Sequence, residues 1–262
     1  ASMPRSISRC DRATSSTRAG LSRQHTMWAA EQCLKRLDTD WIDLFICHKV
    51  DRNTPIEETL VALDTLVKQG KVRYVGFSNW PAWQVAKACE FQRANGLAPF
   101  VAGQIYYSLI GRDAEADLIP AMEHYGIGMM AWSPLAQGLL SGKITRENLE
   151  DGDHRLAAFD FLPSDKERAF DTVDKLAEIA AAHDCSVPQA ALAWLLAKPA
   201  ATNVIIGASK MSHLEDNLGA TEVELTADDV AALDACYPPT RVYPHWFTDL
   251  THDQAHSEAL GG

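Results

Sequence analysis

Apolar and polar positions follow two repeating patterns along this chain. Short apolar runs of strand length, such as IDLFIC after Trp41, are each followed by a longer segment with apolar residues every three to four positions. Continuous apolar runs are typical of strands covered on both faces, and the longer period is that of an amphipathic helix. Their alternation predicts a parallel sheet with crossover helices, which places the chain in the α/β class.

Five strands and eight helices are predicted after residue 20. Capping signals set the helix starts, with Ser22 before the first helix and with Pro55 and Pro188 each in the first turn of a later one. The predicted strands are IDLFIC, KVRYVGFSN, VAGQIYYSLI (from near Phe100), GIGMMAWSPL and NVIIGASK. Seven of the predicted helices span about 22–37, 55–70, 113–125, 165–183, 187–197, 212–220 and 227–236, and the remaining one begins near Pro81. The repeated unit predicts a (β/α) barrel, and a closed barrel of this type has eight strands.

Composition and charge narrow the class of partner. The 262 residues carry a formal net charge of -11, and affinity for nucleic acid or anionic membrane needs clustered Lys and Arg. We therefore expect a small-molecule partner, with no nucleic acid and no membrane. The six cysteines and nine histidines show no metal-ligand spacing, so no metal is expected. Scattered cysteines without a secretory or spanning segment favour a cytoplasmic location.

Polar and aromatic residues follow each predicted strand at its carboxyl end. These ends carry Cys47-His48-Lys49, then Ser78-Asn79, then Gln104 with Tyr106 and Tyr107, then Trp132-Ser133-Pro134, then Gly207-Ala208-Ser209-Lys210. Because catalytic loops of parallel barrels lie at this face, one shared site is expected. Taken alone, each of these residues could have a purely structural role. His48 could be bonded to a main-chain carbonyl, Ser78-Asn79 could cap the next helix, Gln104 could be a buried amide, Trp132 a core aromatic and Gly207 a turn residue.

The last strand end has the most specific chemistry. Gly207 and the small residues after it lead into a helix, whose exposed N–H groups and dipole favour an anion. Lys210 adds a positive charge. This pattern predicts a site for the phosphates of a dinucleotide, although the sequence lacks the G-x-G-x-x-G fingerprint.

Five stretches of the sequence resemble the aldo-keto reductases, NAD(P)H-dependent (β/α)8-barrel enzymes that reversibly reduce aldehydes and ketones to alcohols. They are LSRQHTMWAAEQCLKRLDTDWIDLFICHKVD, TPIEETLVALDTLVKQGKVRYVGFSN, QIYYSLI, AWSPLAQGLLSGK and IIGASKMSHLEDNL. The resemblance covers about Leu21 to Cys236. It implies a TIM-barrel type fold in which the five predicted strands are strands 4 to 8 of the family barrel.

The resemblance also implies roles, carried over position by position. His48 would be the catalytic histidine, which hydrogen-bonds the substrate carbonyl oxygen. The nicotinamide carboxamide would be held by Ser78, Asn79 and Gln104, with Trp132 stacked on the ring. The pyrophosphate would lie along Ser133, Leu135, Gln137 and Gly138, and the adenosine end along Gly207, Ala208, Ser209, Lys210 and Asn217. His213 stands where many members carry an Arg for the 2′-phosphate, so NADPH is the expected cofactor and NADH the alternative.

One departure from the family pattern bears on activity. The Tyr, Lys and Asp of the family's catalytic tetrad precede the segment that matches Leu21, and we find no counterpart for them, nor for the first three βα units. Asp43 lies within a strand, so a structural partner is expected for it, and Tyr106 and Tyr107 are disfavoured as replacement proton donors. The two alternatives are an aldo-keto reductase-type oxidoreductase, whose activity as this chain the absence of these three residues leaves open, and a noncatalytic nicotinamide-nucleotide-binding or partner-binding protein on the same barrel.

Three further segments carry expectations. Residues 1–20 are rich in Ser and Arg without a period, which predicts a disordered tail before one partial barrel domain over 21–262; a transit segment and a remnant of a lost or misread upstream segment are the alternatives. The irregular stretch 136–163 is expected to face the substrate. The aromatic tail 243–256 either does the same or docks on the core. Exposed edges of an open barrel would allow an oligomer.

Overall fold

The computed structural model describes residues 19–149 and 161–251, apart from the side chain of Asp249. Most of the predicted tail at 1–20 lies outside the described residues, as do 150–160 of the irregular stretch and 252–262 of the C-terminal segment.

Five parallel strands form one sheet in chain order, which confirms the predicted α/β pattern. They are β1 (Ile42–Cys47), β2 (Val72–Ser78), β3 (Phe100–Tyr106), β4 (Gly128–Trp132) and β5 (Ala201–Ile205). The pairing is level at the carboxyl ends: Ser78 lies opposite Gln104, and Trp132 lies opposite both Tyr106 and Ile205. Within the described ranges the sheet is not closed into a barrel, so β1 and β5 are its edges. An oligomer through these edges stays a prediction.

Nine helices occur in the described part of the chain. They are α1 (Arg23–Leu37), α2 (Ile56–Lys68), α3 (Ala82–Asn95), α4 (Leu118–His124), α5 (Lys166–Ala182), α6 (Val187–Leu196), α7 (Met211–Gly219), α8 (Ala227–Cys236) and α9 (His245–Leu250). Ser22 caps α1 as predicted, because its hydroxyl accepts a hydrogen bond from the main-chain N–H of His25 at 3.3 Å. Pro188 lies in the first turn of α6, which Ser186 and Gln189 close with a capping box. None of the described helices has both the length and the apolar character needed to cross a membrane.

Some predicted boundaries are wrong. The third strand ends at Tyr106 because the main chain then turns back, with two hydrogen bonds of 3.3 and 3.0 Å between Ser108 and Gly111. The helix predicted over 113–125 is a 3-10 turn at Asp113–Glu115 followed by α4, because the main chain leaves the helical conformation at Asp117, the N-cap of α4, where φ is -134°. Pro55 is the N-cap of α2 and not a first-turn residue. The last strand begins at Ala201, ahead of the predicted start.

The core lies between the sheet and the helices that cover it. Phe45 of β1 and Phe77 of β2 are fully buried, as are Leu60 and Leu63 on the inner side of α2. Burying each such side chain contributes about 1.5–3 kcal/mol relative to exposure. The core therefore stabilises β1 and β2 through the face that α2 covers. Functional side chains can then lie on the loops at the carboxyl ends of these strands.

Candidate active site

His48 and Asn79 begin the loops after β1 and β2 and are joined by a hydrogen bond. His48 follows Cys47 directly and is half-buried. Its main-chain oxygen accepts a hydrogen bond of 3.0 Å from Nδ2 of Asn79, and the same nitrogen lies 2.8 Å from Oγ of Ser78. The helix-cap alternative for Ser78-Asn79 is wrong, because α3 has Pro81 at its N-cap and no side-chain capping bond. The two strand ends therefore form one unit.

Trp132, at the end of β4, belongs to the same unit. Its indole Nε1 donates to Oδ1 of Asn79 at 3.1 Å. The Tyr106 ring lies 5.2 Å from the indole, centroid to centroid, and the Phe161 ring stacks on it at 6.2 Å with an interplanar angle of 17°. Phe161, 49% exposed, is the first described residue after 150–160 and belongs to the irregular stretch 136–163, so the structure places this residue of the stretch over the strand ends. Gln104 lies within this group, since it pairs with Ser78 in the sheet.

A tight turn follows Trp132 and contains the residues predicted for the pyrophosphate. Ser133, Ala136 and Gln137 have positive φ angles of 55°, 46° and 60°, and Gly138 has one of 100°. Non-glycine residues adopt this left-handed region at a cost of about 1–3 kcal/mol, and such residues cluster at functional sites. The turn is held by hydrogen bonds from the N–H of Gln137 to Oγ of Ser133 and from the N–H of Gly138 to the oxygen of Leu135. The four predicted positions therefore share one strained turn.

The residues predicted for the adenosine end lie beyond β5. Gly207, Ala208, Ser209 and Lys210 are exposed, His213 is half-buried and Asn217 is buried. Lys210 is the N-cap of α7 and forms no side-chain capping bond. A Cβ built on Gly207 would have no atom within 4 Å, so this main chain is open to a close-lying ligand. These features fit an anion-binding site at the start of α7. Because Ile205, the last residue of β5, pairs with Trp132, this site follows the strand next to the Trp132 end of β4.

The two tyrosines after Gln104 differ in their partners. Burial raises the pKa of Tyr106 to about 12, and its hydroxyl lies 3.0 Å from Oγ of Ser108. Burial and the carboxylate of Glu115 raise the pKa of Tyr107, whose hydroxyl donates to Oε1 of Glu115 at 2.6 Å. A raised pKa makes each a weaker acid near neutral pH. Burial also raises the pKa of Cys47 to about 12, so this thiol stays protonated and is a poor nucleophile.

An ionic network around the buried Arg112, which the sequence analysis missed, fixes the loop after β3. Arg112, 7% exposed, contacts Glu115 through two hydrogen bonds of 2.7 and 3.0 Å, and its Nη1 lies 3.0 Å from Oδ1 of Asp234. Lys198 contacts the same Asp234 carboxylate at 2.7 Å. The network ties the loop that follows Tyr107 to α8. The i, i+3 spacing of Arg112 and Glu115 could have indicated their ion pair. Asp234 is 122 residues further along the chain, so no local pattern indicates its contact with Arg112.

Asp43 and the C-terminal segment also have partners among the described residues. Asp43 forms a 2.9 Å ion pair with Arg73 of the neighbouring strand, as expected. His245 of α9 lies 2.9 Å from Asp117, which precedes α4 at the carboxyl-end face of the sheet. The described part of the C-terminal segment, 243–251, therefore contacts the loop after β3 through His245, while Tyr243 and Leu250 are 72% and 76% exposed. Whether this segment faces the substrate or packs on the core stays a prediction. No group of three or more metal-ligating side chains occurs in the ranges that the structure describes.

A parallel α/β sheet with this polar and aromatic cluster at its carboxyl ends has the site placement of barrel enzymes. Comparison with known proteins specifies the family. A sequence profile described as the aldo/keto reductase family matches residues 7–238. The chain belongs to this family of oxidoreductases, whose fold is the (β/α)8 barrel, and the predicted resemblance is confirmed.

Three curated relatives show how much of a family member this chain represents. It is 33% identical over 232 residues to versiconal hemiacetal acetate reductase of Aspergillus parasiticus, covering 87% of the chain and 66% of the relative. It is 37% identical over 225 residues to the uncharacterized oxidoreductase YrpG of Bacillus subtilis (strain 168), with 84% and 65% covered. It is 38% identical over 210 residues to aldo-keto reductase str7 of Strobilurus tenacellus, with 78% and 61% covered. The chain thus spans less than two thirds of the length of each.

Proposed function

We propose that this chain forms the cofactor-binding side of an NAD(P)H-dependent reductase of small aldehydes or ketones, with NADPH as the cofactor and NADH as the alternative. The observation that carries the proposal is the hydrogen-bonded group of Asn79, the main chain of His48 and the indole of Trp132. It joins the residue assigned to the substrate carbonyl to the residue assigned to the nicotinamide ring. Family membership supports the same reaction class.

The residues present fit a dinucleotide along the carboxyl ends of the strands. Trp132 offers a flat aromatic face, Ser78 and Gln104 offer polar groups beside it, and the open main chain at Gly207 with Lys210 offers an anion site. The bound nicotinamide would supply a hydride to the carbonyl carbon, and a proton would pass to the carbonyl oxygen.

His48 has a limited part in this chemistry. A hydrogen bond from its ring would orient the carbonyl oxygen and stabilise the negative charge that develops there. The proton donor is not assigned among the described residues, because Tyr106 has a raised pKa and Tyr107 donates its hydroxyl to Glu115. That observation also favours the second candidate, a noncatalytic nicotinamide-nucleotide-binding protein. In both cases the proposed location is the cytoplasm, and neither nucleic acid nor membrane is a proposed partner.

A paired assay on this chain separates the two candidates. NADPH binding is followed by quenching of tryptophan fluorescence, and reduction of para-nitrobenzaldehyde by loss of nicotinamide absorbance. The reductase is supported if the chain both binds NADPH and turns over the aldehyde, and if His48→Ala lowers turnover far more than it lowers NADPH affinity. Binding without turnover supports the noncatalytic candidate, and the absence of both contradicts the proposal for this chain.

A further inference from the structure

The side-chain amide of Asn79 contacts two groups from strands that are not neighbours in the sheet. Its Nδ2 donates to the main-chain oxygen of His48 at 3.0 Å and lies 2.8 Å from Oγ of Ser78. Its Oδ1 accepts from Nε1 of Trp132 at 3.1 Å. β1 and β4 are separated by β2 and β3. The amide therefore links the first and fourth strands across the carboxyl-end face.

The orientation of this amide follows from its partners. A main-chain carbonyl oxygen can only accept a hydrogen bond, and an indole N–H can only donate one. The nitrogen of Asn79 must therefore face His48 and the oxygen must face Trp132, because the reversed amide would lose both bonds. The main chain of Asn79 has φ 56°, a left-handed conformation that Asn tolerates better than most residues.

Three contacts bear on the plane of the Trp132 indole, one of which is the Phe161 ring that stacks on it at 6.2 Å. The Asn79 contact holds the edge that carries the N–H, and the Tyr106 ring packs against the indole at 5.2 Å with an interplanar angle of 40°. Tyr106 is itself confined, because a Cβ added to Gly111 would lie 2.3 Å from its ring. A phenyl or phenol ring at position 132 would keep an aromatic face and lose the N–H that Asn79 holds.

We propose that Asn79 is a positioning residue that fixes the plane of the Trp132 indole relative to the main chain of His48. This inference rests on the proposed function, in which the nicotinamide ring stacks on Trp132 and His48 meets the carbonyl. Through the amide, the surface that carries the cofactor ring and the residue that carries the substrate form one hydrogen-bonded unit. The role adds to the predicted contact of Asn79 with the carboxamide, for which one lone pair of Oδ1 remains available.

The first test detects the contact without cofactor or turnover. Nitrogen-15 NMR resolves the indole N–H signals of the seven tryptophans, and the signal lost in Trp132→Phe identifies Trp132. Asn79→Gly removes the amide and suits the left-handed main chain, so the fold is expected to be retained. We expect this variant to shift the Trp132 indole signal upfield and to accelerate its hydrogen exchange, while Trp83→Phe changes neither. An unchanged signal in Asn79→Gly would overturn the proposal.

The second test asks whether the contact acts on the cofactor. Calorimetry gives the NADPH affinity of the wild-type chain, Asn79→Gly, Trp132→Phe and the double variant. We expect Asn79→Gly to weaken NADPH binding about threefold to tenfold in the wild-type background and by a clearly smaller factor, from the carboxamide contact alone, in the Trp132→Phe background. A residue that only binds the carboxamide would give the same factor in both backgrounds, which would overturn the positioning role.

The failure of the proposed function has a different signature. If the wild-type chain binds no NADPH, the proposed function fails and the positioning role fails with it, even where the NMR shift shows that the contact exists. If NADPH binds and the two factors are equal, the positioning role alone fails.

Discussion

Adjacent tyrosines at the end of β3 provide a matched test of the network that holds the site. Tyr107, 2% exposed, donates to a carboxylate oxygen of Glu115 at 2.6 Å, whereas the Tyr106 hydroxyl meets the neutral hydroxyl of Ser108 at 3.0 Å. The same substitution, Tyr to Phe, removes one hydroxyl at each position. The two variants differ mainly in whether the lost partner is charged.

The expected losses follow from the charge and from the groups that remain. A hydrogen bond to a charged group contributes about 1.5–3 kcal/mol, and one between neutral groups about 0.5–1.5 kcal/mol. Glu115 keeps its two bonds from Arg112, so the lower part of the charged range applies to Tyr107→Phe. We expect Tyr107→Phe to lower the free energy of unfolding by about 1.5–2 kcal/mol and Tyr106→Phe by about 0.5–1 kcal/mol.

Equilibrium unfolding in urea at pH 7, followed by circular dichroism, measures both losses. A third variant, Glu115→Gln, provides the control: in its background Tyr107→Phe should cost less than about 1 kcal/mol, because the acceptor is no longer charged. Equal losses for the two tyrosines, or a larger loss for Tyr106→Phe, would refute the assignment of Tyr107 to the ionic network.

Three further predictions concern stability. Gly111→Ala should lower the free energy of unfolding by about 1–3 kcal/mol in urea, because the new Cβ would lie 2.3 Å from the Tyr106 ring; no loss would contradict this packing. Partial burial raises the pKa of Asp51, but hydrogen bonds, first that from Leu21, outweigh it and hold the pKa below its ordinary value of 3.8. The resulting stabilisation is present above pH 3.8 and is lost as the pH falls through the folded-state pKa. Asp51→Asn should therefore have a lower free energy of unfolding than wild type at pH 7, and this difference should vanish when unfolding is measured in acid. A difference that does not change with pH would contradict the role of the Asp51 carboxylate. Ser186→Ala should cost about 1 kcal/mol in thermal unfolding, since it removes the cap of α6, and a change below a few tenths would argue against that cap.

The sequence predicted the sheet well because strands buried on both faces leave a plain pattern. The run IDLFIC before His48 and the parallel order that follows from βα repetition placed residues as distant as Ser78 and Trp132 at one face. Residues from different strands could therefore be grouped into one site before any contact between them was known.

Contacts between side chains distant in sequence could not be predicted. Nothing in the local pattern indicates that Arg112 meets Asp234, or that the amide of Asn79 meets the indole of Trp132. Such pairs depend on how loops cross the sheet face. The left-handed main chain at Ser133 was equally hidden, because this conformation is uncommon for residues other than glycine.

The central claim is that the carboxyl-end face of the sheet binds a nicotinamide nucleotide through Trp132. Calorimetric titration of NADPH into the wild-type chain, Trp132→Ala and Trp83→Ala tests it directly, since Trp83 is 65% exposed on α3 and has no role in the proposed site. We predict that Trp132→Ala weakens binding about tenfold or more, with Trp83→Ala within about twofold of wild type. Equal affinity of all three chains, or no binding by the wild-type chain, would contradict the account.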